Sequence, residues 1–522
     1  MPNNRRSPYS TGIVDQLNDA NYEMNGEKGS DKDKDNIFFK RFMKRHPKWI
    51  SRIGVVFMFV FLISILLVLP LTIAGINKNR TDQQSANDLP SFTTDHDSPI
   101  SFDDTARVNS LTPPLNEKFR YNAEDRIRGI NLGGWLVLEP FITPSIFEQT
   151  MTNNTVTIVD EWTLCKQLGP IEAKSQLERH YKTFITEADF KKIAMMGFNH
   201  VRIPVGHWAI SVTDDEPYVP DLSWRYLLKG IEWARKYGLR VMVELHTAPG
   251  SQNGWNHSGR QGSIGFLKGT NGTTNAKRTT KIVSDMVEFF NLPEWSNVVT
   301  LFGVLNEPAM MSIPPEQVKK WYHTVYDQIR KALKETLGPL LSFHDGFMPL
   351  NQWAGFFKNS FQNTIIETHL YLIFNNDLVS MPKKVQSEFP CNAWKKDLQE
   401  VSTSVGPMMV GEFSLATNDC AKYLNGIGFG ARYDNTYEED SNPNCPSCTC
   451  KGVDDWENFT NDYKQFLLQF LEKQMDAYES SLGWFFWTYK TEDHVNPHWD
   501  YSLAWEQGFA PSDFFLLSYL DC

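Results

Sequence analysis

Two glutamates lie at the ends of apolar segments, where an enzyme could use them together. Glu307 follows Asn306 in the segment LFGVLNEP, and Glu412 stands in MMVGEFS. Two carboxyl groups that flank a glycosidic bond can hydrolyse it, one as general acid and base and the other as nucleophile. A single glutamate is more often part of a surface ion pair, but two at matching positions predict a catalytic pair.

Polar side chains also end most of the other apolar segments of the chain. Purely structural polar residues are not expected at nearly every such end, so this clustering favours an enzyme. The residues are Arg202, His246, His344 with Asp345, His369 with Tyr371, and Trp487.

The segments that carry these residues indicate the fold. Eight short apolar runs, bounded by polar residues, glycine or proline, alternate with helical patterns such as residues 222–237 and 315–337. This order predicts an α/β protein built as a (β/α)₈ TIM barrel rather than a doubly wound sheet, with the ends of the fourth and seventh strands facing each other. The runs are residues 127–135, 199–205, 240–246, 301–308, 340–345, 364–371, 408–414 and 484–490.

Several longer motifs carry a resemblance to a known family. RGINLGGWLVLEPFITPS, VRIPVGHWA, LHTAPGSQNGWNHSG, LNEP, VGEFSLATNDCAKYLNG and GWFFWTYKTE occur in this order between residues 128 and 492. They resemble the fungal exo-β-1,3-glucanases of glycoside hydrolase family 5 over residues 115–522. The resemblance implies a retaining enzyme that removes glucose from the non-reducing end of β-1,3-glucan, with no metal or other cofactor.

The same resemblance implies roles for individual residues. Glu307 would be the general acid and base, with a raised pKa, and Glu412 the nucleophile, kept ionised by Arg202. Asn306 would bind the sugar 2-hydroxyl, and Trp487 would stack beneath the sugar bound by Glu139. The other implied substrate-binding or orienting residues are His246, His369, Tyr371 and Asn425.

Two aromatic residues at the pocket mouth match a clamp for the acceptor sugar in this family. They are Trp255 and Phe374, and better-known members have phenylalanine at the first position, so the clamp is expected to be wider here. Asn256 replaces an acidic residue of the family, and Phe141 replaces a tyrosine beside Glu139. These departures affect the contacts to sugar hydroxyls and leave the catalytic pair unchanged.

The chain has seven cysteines, three of them in the segment NPNCPSCTC. The CxxC spacing is compatible with a zinc site, but no second pair of ligands follows, and a disulfide-rich loop is the better interpretation in an extracytoplasmic domain. The family resemblance implies the bond Cys391–Cys522 and pairs Cys420 with a cysteine of this segment, for which we favour Cys450 over Cys445 and Cys448. It leaves the pairing of Cys165, Cys445 and Cys448 open.

The first 114 residues predict a membrane anchor. Residues 53–76 lack charge and would span roughly 36 Å as a helix, which is enough to cross a bilayer. Basic residues concentrate before this segment, which places the N-terminus in the cytoplasm. We therefore expect a disordered cytosolic tail at 1–52, a stalk at 77–114 and a hydrolase domain at 115–522. This single-pass type II protein would sit in the plasma membrane and face the cell wall.

This orientation would expose five asparagine acceptors to glycosylation. Two of them are less accessible, because one lies very close to the bilayer and one is expected to be buried. The first is Asn79 and the buried one is Asn256. The other three acceptors are Asn153, Asn271 and Asn458.

Composition limits the remaining alternatives. Lysine and arginine number 51 against 62 acidic residues, and a net charge of −11 argues against a nucleic-acid partner. A β-1,3-glucan substrate is expected, whereas the oligomeric state is not predicted. Three readings stay open beside an exo-β-1,3-glucanase: an endo-glucanase, a β-glucosidase for β-1,6-glucan or glucosylceramide, and an inactive glucan-binding wall protein.

Overall fold

Eight parallel strands form the centre of the protein. A computed structural model describes residues 102–152, 157–334, 336–357, 361–437, 445–519 and 522. Each strand pairs with the next one, and the last pairs with the first, which closes the barrel. The strands are β1 Ile127–Asn131, β2 His200–Val205, β3 Arg240–Leu245, β4 Val299–Gly303, β5 Leu340–His344, β6 Thr364–His369, β7 Met408–Glu412 and β8 Gly483–Phe486.

The predicted (β/α)₈ barrel is therefore confirmed, and each predicted run contains or overlaps one strand. The α-helices are α1 Pro144–Thr152, α2 Glu161–Thr183, α3 Glu187–Met195, α4 Leu222–Lys236, α5 Gly272–Phe290, α6 Pro315–Leu333, α7 Asn376–Val379, α8 Lys383–Phe389, α9 Lys395–Val405, α10 Asn461–Tyr478 and α11 Tyr501–Glu506. A π-helix at Pro390–Trp394 joins α8 to α9. Helix α2 is interrupted at Gly169, whose φ of 71° is not helical and which precedes Pro170.

Apolar side chains fill the lower part of the barrel. One buried cluster takes a residue from seven of the eight strands: Ile127, Met242, Leu301, Leu340, Ile365, Met409 and Phe485. Parallel barrels bury both faces of each strand, which explains why the runs are apolar rather than alternating. This apolar layer is the base on which the polar strand ends rest.

The folded region begins before residue 115. Residues 102–114, predicted to be the end of a stalk, contact the barrel instead. Arg240 at the start of β3 donates hydrogen bonds to the carbonyls of Pro113 and Pro114, at 3.0 and 2.9 Å, and Asn297 donates to Asp104 at 2.9 Å. Composition suggested a stalk because the Arg240 contacts use main-chain carbonyls and the Asn297 contact uses a single polar side chain, neither of which gives an apolar pattern in the sequence.

The predicted tail at 1–52, the apolar segment at 53–76 and residues 77–101 lie outside the described residues. Within the described ranges, none of the helices combines the length and the apolar character needed to cross a membrane. The predicted anchor therefore stays a prediction.

Three disulfides tie the loops of the domain. Both expected bonds, Cys391–Cys522 and Cys420–Cys450, are present and confirm the prediction. The third joins Cys445 to Cys448, which the sequence left open, and Cys165 is a buried free thiol.

Candidate active site

Arg202, on β2, lies at the centre of the polar end of the barrel. Its side chain is fully buried, and its guanidinium lies 2.9 Å from Glu412, 3.1 Å from Glu244 and 3.3 Å from Glu367. It also donates hydrogen bonds to Asn131 at 2.7 Å and to Asn306 at 2.9 Å. A buried cation is tolerated only with such partners, so Arg202 holds the ends of β1, β3, β6 and β7 and the residue Asn306 around one point.

The sequence reasoning missed three members of this network: Asn131 and the two carboxylates Glu244 and Glu367. Each carboxylate stands two residues before a predicted site histidine and contacts it: Glu244 lies 2.9 Å from His246 Nδ1, and Glu367 lies 3.2 Å from His369 Nε2. Side chains alternate along a strand, so residues two apart point the same way. Counting back two residues along the strand from His246 and from His369 would have identified Glu244 and Glu367 in the sequence.

Two glycines make room for these inward-pointing carboxylates. A Cβ added at Gly303 would lie 2.3 Å from Glu244, and one at Gly411 would lie 1.9 Å from Glu367. Both distances are well inside van der Waals contact. The glycine in VGEFS therefore has a structural reason, because it admits the side chain that orients His369.

The two predicted catalytic glutamates come together beside one imidazole. His369 Nδ1 lies 2.6 Å from Glu307 Oε1 and 3.4 Å from Glu412 Oε2. Both carboxyl groups are buried, and Tyr371 donates a hydrogen bond to Glu412 at 2.9 Å. Glu307 adopts a left-handed backbone with φ of 44°, which turns the chain at the end of LNEP. The structure thus unites Glu307, Glu412, Arg202, His369 and Tyr371.

Charges within this cluster shift its proton affinities. Burial opposes the charge on His369, but the Glu412 carboxylate and hydrogen bonds to Glu307 and Glu367 raise the pKa of His369 to about 10. Burial acts to raise the pKa of Glu307, yet the hydrogen bond and charge of His369 hold it below its usual range. In the free site His369 is therefore the protonated group, and Glu307 a carboxylate.

This distribution differs from the sequence expectation of a raised pKa on Glu307. Burial raises the pKa of Glu412, against the opposing charges of His369 and Arg202. The reason for the difference is His369, which the sequence placed only as an orienting residue. A proton on His369, 2.6 Å from Glu307, is available to that carboxyl when charge develops on a leaving oxygen.

Apart from Arg202 Nε and Glu244 Oε1, which lie in ion pairs, four buried polar atoms near the carboxylates have no hydrogen-bond partner among the described residues. They are Glu139 Oε1, His246 Nε2, Asn306 Nδ2 and His344 Nε2. Buried polar groups are normally satisfied, so such atoms mark places where a ligand supplies the partner. A ligand rich in hydroxyl groups can donate to the first two and accept from the amide.

Three of the aromatic residues predicted to bind substrate each pack against a different aromatic ring. The ring of Trp487 stacks parallel to that of His246, with centroids 5.7 Å apart. Trp255 contacts Phe347, and Phe374 contacts Tyr371, each at 5.7 Å, so the two clamp residues touch different rings.

The side chain of Asn425, predicted to bind substrate, already uses its polar atoms in hydrogen bonds within the protein. Its amide group donates to Asp419 and to the Gly430 carbonyl, and it accepts from Arg432 at 2.8 Å. All of these contacts lie within its own loop.

His257 is a further neighbour of Glu307 that the sequence reasoning did not select. Its Nε2 lies 3.4 Å from Glu307 Oε2, and its side chain is 20% exposed. Burial lowers the pKa of His257 to about 4, so it is neutral beside the charged His369. It was missed because it lies in a loop, where strand periodicity gives no signal.

Glu307, His344 and His369 present ligand atoms within 4.8 Å of one another, which is close enough for a metal ion. The hydrogen bonds fit a different state. His344 Nδ1 accepts from the Gly346 N–H at 2.9 Å, which leaves the hydrogen on Nε2 and removes the lone pair that a metal would need. With His369 also protonated, neither histidine offers a lone pair, so the hydrogen bonds of this group do not suit a metal ion.

A family model described as Cellulase (glycosyl hydrolase family 5) matches residues 165–433. The chain belongs to glycosyl hydrolase family 5. The expected class of enzyme, a glycoside hydrolase, is thereby confirmed, and the family 5 match includes Arg202, Glu307 and Glu412.

Curated relatives agree with the family 5 assignment. "Probable glucan 1,3-beta-glucosidase D" of Aspergillus terreus is 44% identical over 422 residues, 79% of this chain and 49% of the relative. The protein of the same name from Aspergillus niger is 43% identical over 421 residues, 79% and 50% of the two chains. The chain thus spans about half the length of these relatives.

Among solved structures, rutinosidase from Aspergillus niger has the same fold as this family 5 chain. The two are 22% identical, with a TM-score of 0.55, over 74% of this chain and 97% of that one.

Proposed function

We propose that the chain is an exo-acting glucan 1,3-β-glucosidase that works by double displacement with retention. The observation that carries the mechanism is the imidazole shared by the two glutamates. Two oxygens at 2.6 and 3.4 Å from one nitrogen are at most about 6 Å apart. Retaining enzymes place their carboxyl groups at about 5–5.5 Å, whereas inverting ones need roughly 6.5–9.5 Å to admit water. The geometry therefore favours retention.

In this mechanism Glu412 attacks the anomeric carbon and Glu307 protonates the leaving oxygen. Arg202 and Tyr371 hold Glu412 through hydrogen bonds of 2.9 Å each, which fixes the attacking oxygen. His369 supplies the proton that Glu307 passes on, and Glu307 then activates water to release the sugar. Asn306 Nδ2, which has no partner among the residues that the structure describes, donates to a sugar hydroxyl at the reacting ring.

The substrate rests on the curated relatives and on the site together. Relatives at 42–44% identity bear the name glucan 1,3-beta-glucosidase, and the buried polar atoms suit a polyhydroxylated ring. A role in remodelling wall glucan follows from that substrate. An inactive glucan-binding protein is disfavoured, because Arg202, Glu307 and Glu412 are joined in one network rather than dispersed.

The deciding experiment follows the products from a β-1,3-linked oligosaccharide labelled at its reducing end. We expect glucose to appear first, together with labelled chains shortened by one unit, and proton NMR to show the β-anomer before mutarotation. Mid-chain products would indicate an endo-glucanase. Cleavage only of β-1,6-glucan or glucosylceramide would change the substrate, and release of α-glucose would exclude retention.

We further propose that residues 53–76 anchor the enzyme in the plasma membrane with the barrel outside. The uncharged segment and its basic N-terminal flank support this topology. Asn271 and Asn458 are exposed and open to glycosylation in that orientation. Full-length protein should remain in the membrane pellet after alkaline extraction and lose mass on glycosidase treatment. Soluble, unmodified protein in the cytosol would refute the anchor.

A further inference from the structure

A cavity of about 360 Å³ lies apart from the catalytic glutamates. Its walls come from segments that follow β6 and β7, the strands of His369 and Glu412. Within the described ranges, none of its lining residues forms a hydrogen bond or an ion pair with Glu307 or Glu412. Its lining includes Gln386, Thr417, Asn418, Tyr433, Phe459 and Tyr463. Ligand pockets have volumes of about 300–1,000 Å³, so this cavity is large enough for a small molecule.

Two buried amides line this cavity with an unused polar atom each. Asn418 is 9% exposed, and its Oδ1 accepts from the Cys420 N–H at 3.1 Å, while Nδ2 has no partner in the described ranges. Gln386 is 3% exposed and donates to the carbonyls of Leu378 and Thr417, which leaves Oε1 without a described partner. These two amides thus supply one donor and one acceptor among the polar groups of the wall, both fixed by their other hydrogen bonds.

Aromatic rings form another part of the wall. Phe459 and Tyr463 pack edge to face with centroids 4.9 Å apart, and the Tyr463 hydroxyl lies 2.8 Å from His498 Nε2. The Lys383 ammonium lies 4.2 Å from the centroid of the Tyr463 ring. Lys383 and Asp455 both line the cavity, so the wall carries one charge of each sign and favours a neutral ligand.

These features together match a pyranose ring. Its C–H faces pack on aromatic rings, and its hydroxyls both donate and accept hydrogen bonds, as Asn418 and Gln386 require. We propose that this cavity is a second carbohydrate site that binds a glucosyl unit of the β-glucan chain. The proposal rests on the proposed function for its substrate. Asn458 also lines the cavity and begins the acceptor NFT, so an attached glycan is a second source of such a ring.

Affinity electrophoresis through a gel containing laminarin tests the site. The full chain is used, and a saturating iminosugar inhibitor occupies the active site. Asn418→Asp replaces the unpartnered donor with an acceptor of the same shape, and Phe459→Ala removes part of the aromatic wall. We expect each change to raise the dissociation constant for laminarin about tenfold, the effect of losing one hydrogen bond or ring contact.

The exposed Asn116→Asp provides a matched control, with the same change of charge, and should bind as the unaltered protein does. Hydrolysis of a small aryl β-glucoside, which cannot reach a second site, should be unchanged in all three variants. Unaltered laminarin retention in both Asn418→Asp and Phe459→Ala would overturn the proposal. An enzyme that releases no glucose from laminarin would instead overturn the proposed function, since retention in the gel needs no turnover.

The glycan source is separated by Asn458→Gln, which removes the acceptor. If the cavity binds external glucan, retention in the gel is the same with and without the glycan. If the Asn458 glycan occupies the cavity, Asn418→Asp should weaken retention only in protein that also carries Asn458→Gln. That result would overturn the binding of β-glucan by the glycosylated enzyme.

Discussion

The lower and upper parts of the barrel interior are equally buried but differ in what fills them. The lower part is the apolar layer that includes Met242, Leu301 and Phe485. Two residues further along β3, the inward side chain is Glu244, which joins the Arg202 network. Apolar packing gains stability without direction, whereas buried charges have to be paired atom by atom. One barrel thus separates a layer that stabilises the fold from one that positions reacting groups.

The largest effect should come from the nucleophile in the upper layer. Glu412→Gln keeps the shape but cannot form a glycosyl-enzyme, so turnover should fall roughly 10³- to 10⁵-fold. Thermal unfolding should change little, and a mechanism-based fluoro-sugar should label Glu412 in the unaltered enzyme. A label on another residue, or turnover close to normal, would remove Glu412 from this role.

Glu307→Ala should lower hydrolysis of unactivated glucan by about 10²- to 10⁴-fold, because the leaving group then lacks its proton. An aryl glucoside with a good leaving group should still form the glycosyl-enzyme, and azide should restore turnover as the β-glucosyl azide. In the free site His369 lowers the pKa of Glu307, whereas burial raises the pKa of Glu412. The azide experiment therefore tests which carboxyl group is the acid and base and which is the nucleophile. An α-azide would mean that the two roles are exchanged.

Substitutions in the apolar layer should lower stability and leave activity unchanged, the opposite of those at the two glutamates. Leu301→Ala leaves a cavity in a fully buried site and should lower the free energy of unfolding by about 2–5 kcal/mol, with activity per folded molecule retained. Denaturant unfolding combined with active-site titration measures both quantities. Leu111→Ala, at a position that is 67% exposed, should change neither. A Leu301 variant that loses activity at full stability would contradict the division between layers.

A buried carboxyl without a cationic partner sharpens the comparison. Burial raises the pKa of Glu161 to about 8, and its contact is the Leu138 N–H, which donates at 3.0 Å. In the unfolded chain the pKa of Glu161 is near 4.5, so the folded state binds its proton more tightly than the unfolded state does. The contribution of this proton to the free energy of unfolding is complete below pH 4.5 and is lost as the pH rises towards 8.

Glu161→Gln should therefore match the unaltered protein near pH 5 and exceed it by about 2 kcal/mol at pH 7. Denaturant unfolding at the two pH values measures the difference. Glu316→Gln, with its side chain 87% exposed, is the control. Equal pH dependence of the Glu161 variant and the unaltered protein would show that Glu161 stays ionised.

The barrel and the meeting of Glu307 with Glu412 at its mouth could be predicted because they follow from local pattern. Each apolar run is long enough for one strand, and the barrel rule places Glu307 and Glu412 at one mouth whatever the details of packing. Glu244 and Glu367 were within reach of the same rule, since each precedes a recognised histidine by two residues. The contacts of residues 102–114 were not, because the main-chain carbonyls that bind Arg240 leave no pattern in side-chain types, and one polar contact from Asp104 gives no periodicity.

By itself, then, the sequence determined the barrel and the two carboxylates with their arginine, because periodicity and motif are local properties, whereas the two expected disulfides rested on the family resemblance. Tertiary structure alone decided the proton distribution. The pKa of Glu307 depends on His369 at 2.6 Å, and that of His369 depends on Glu412, at the end of another strand, as well as on Glu367 two residues before it on β6. Electrostatic interactions depend on distance in space and on burial, and neither quantity can be read along the chain.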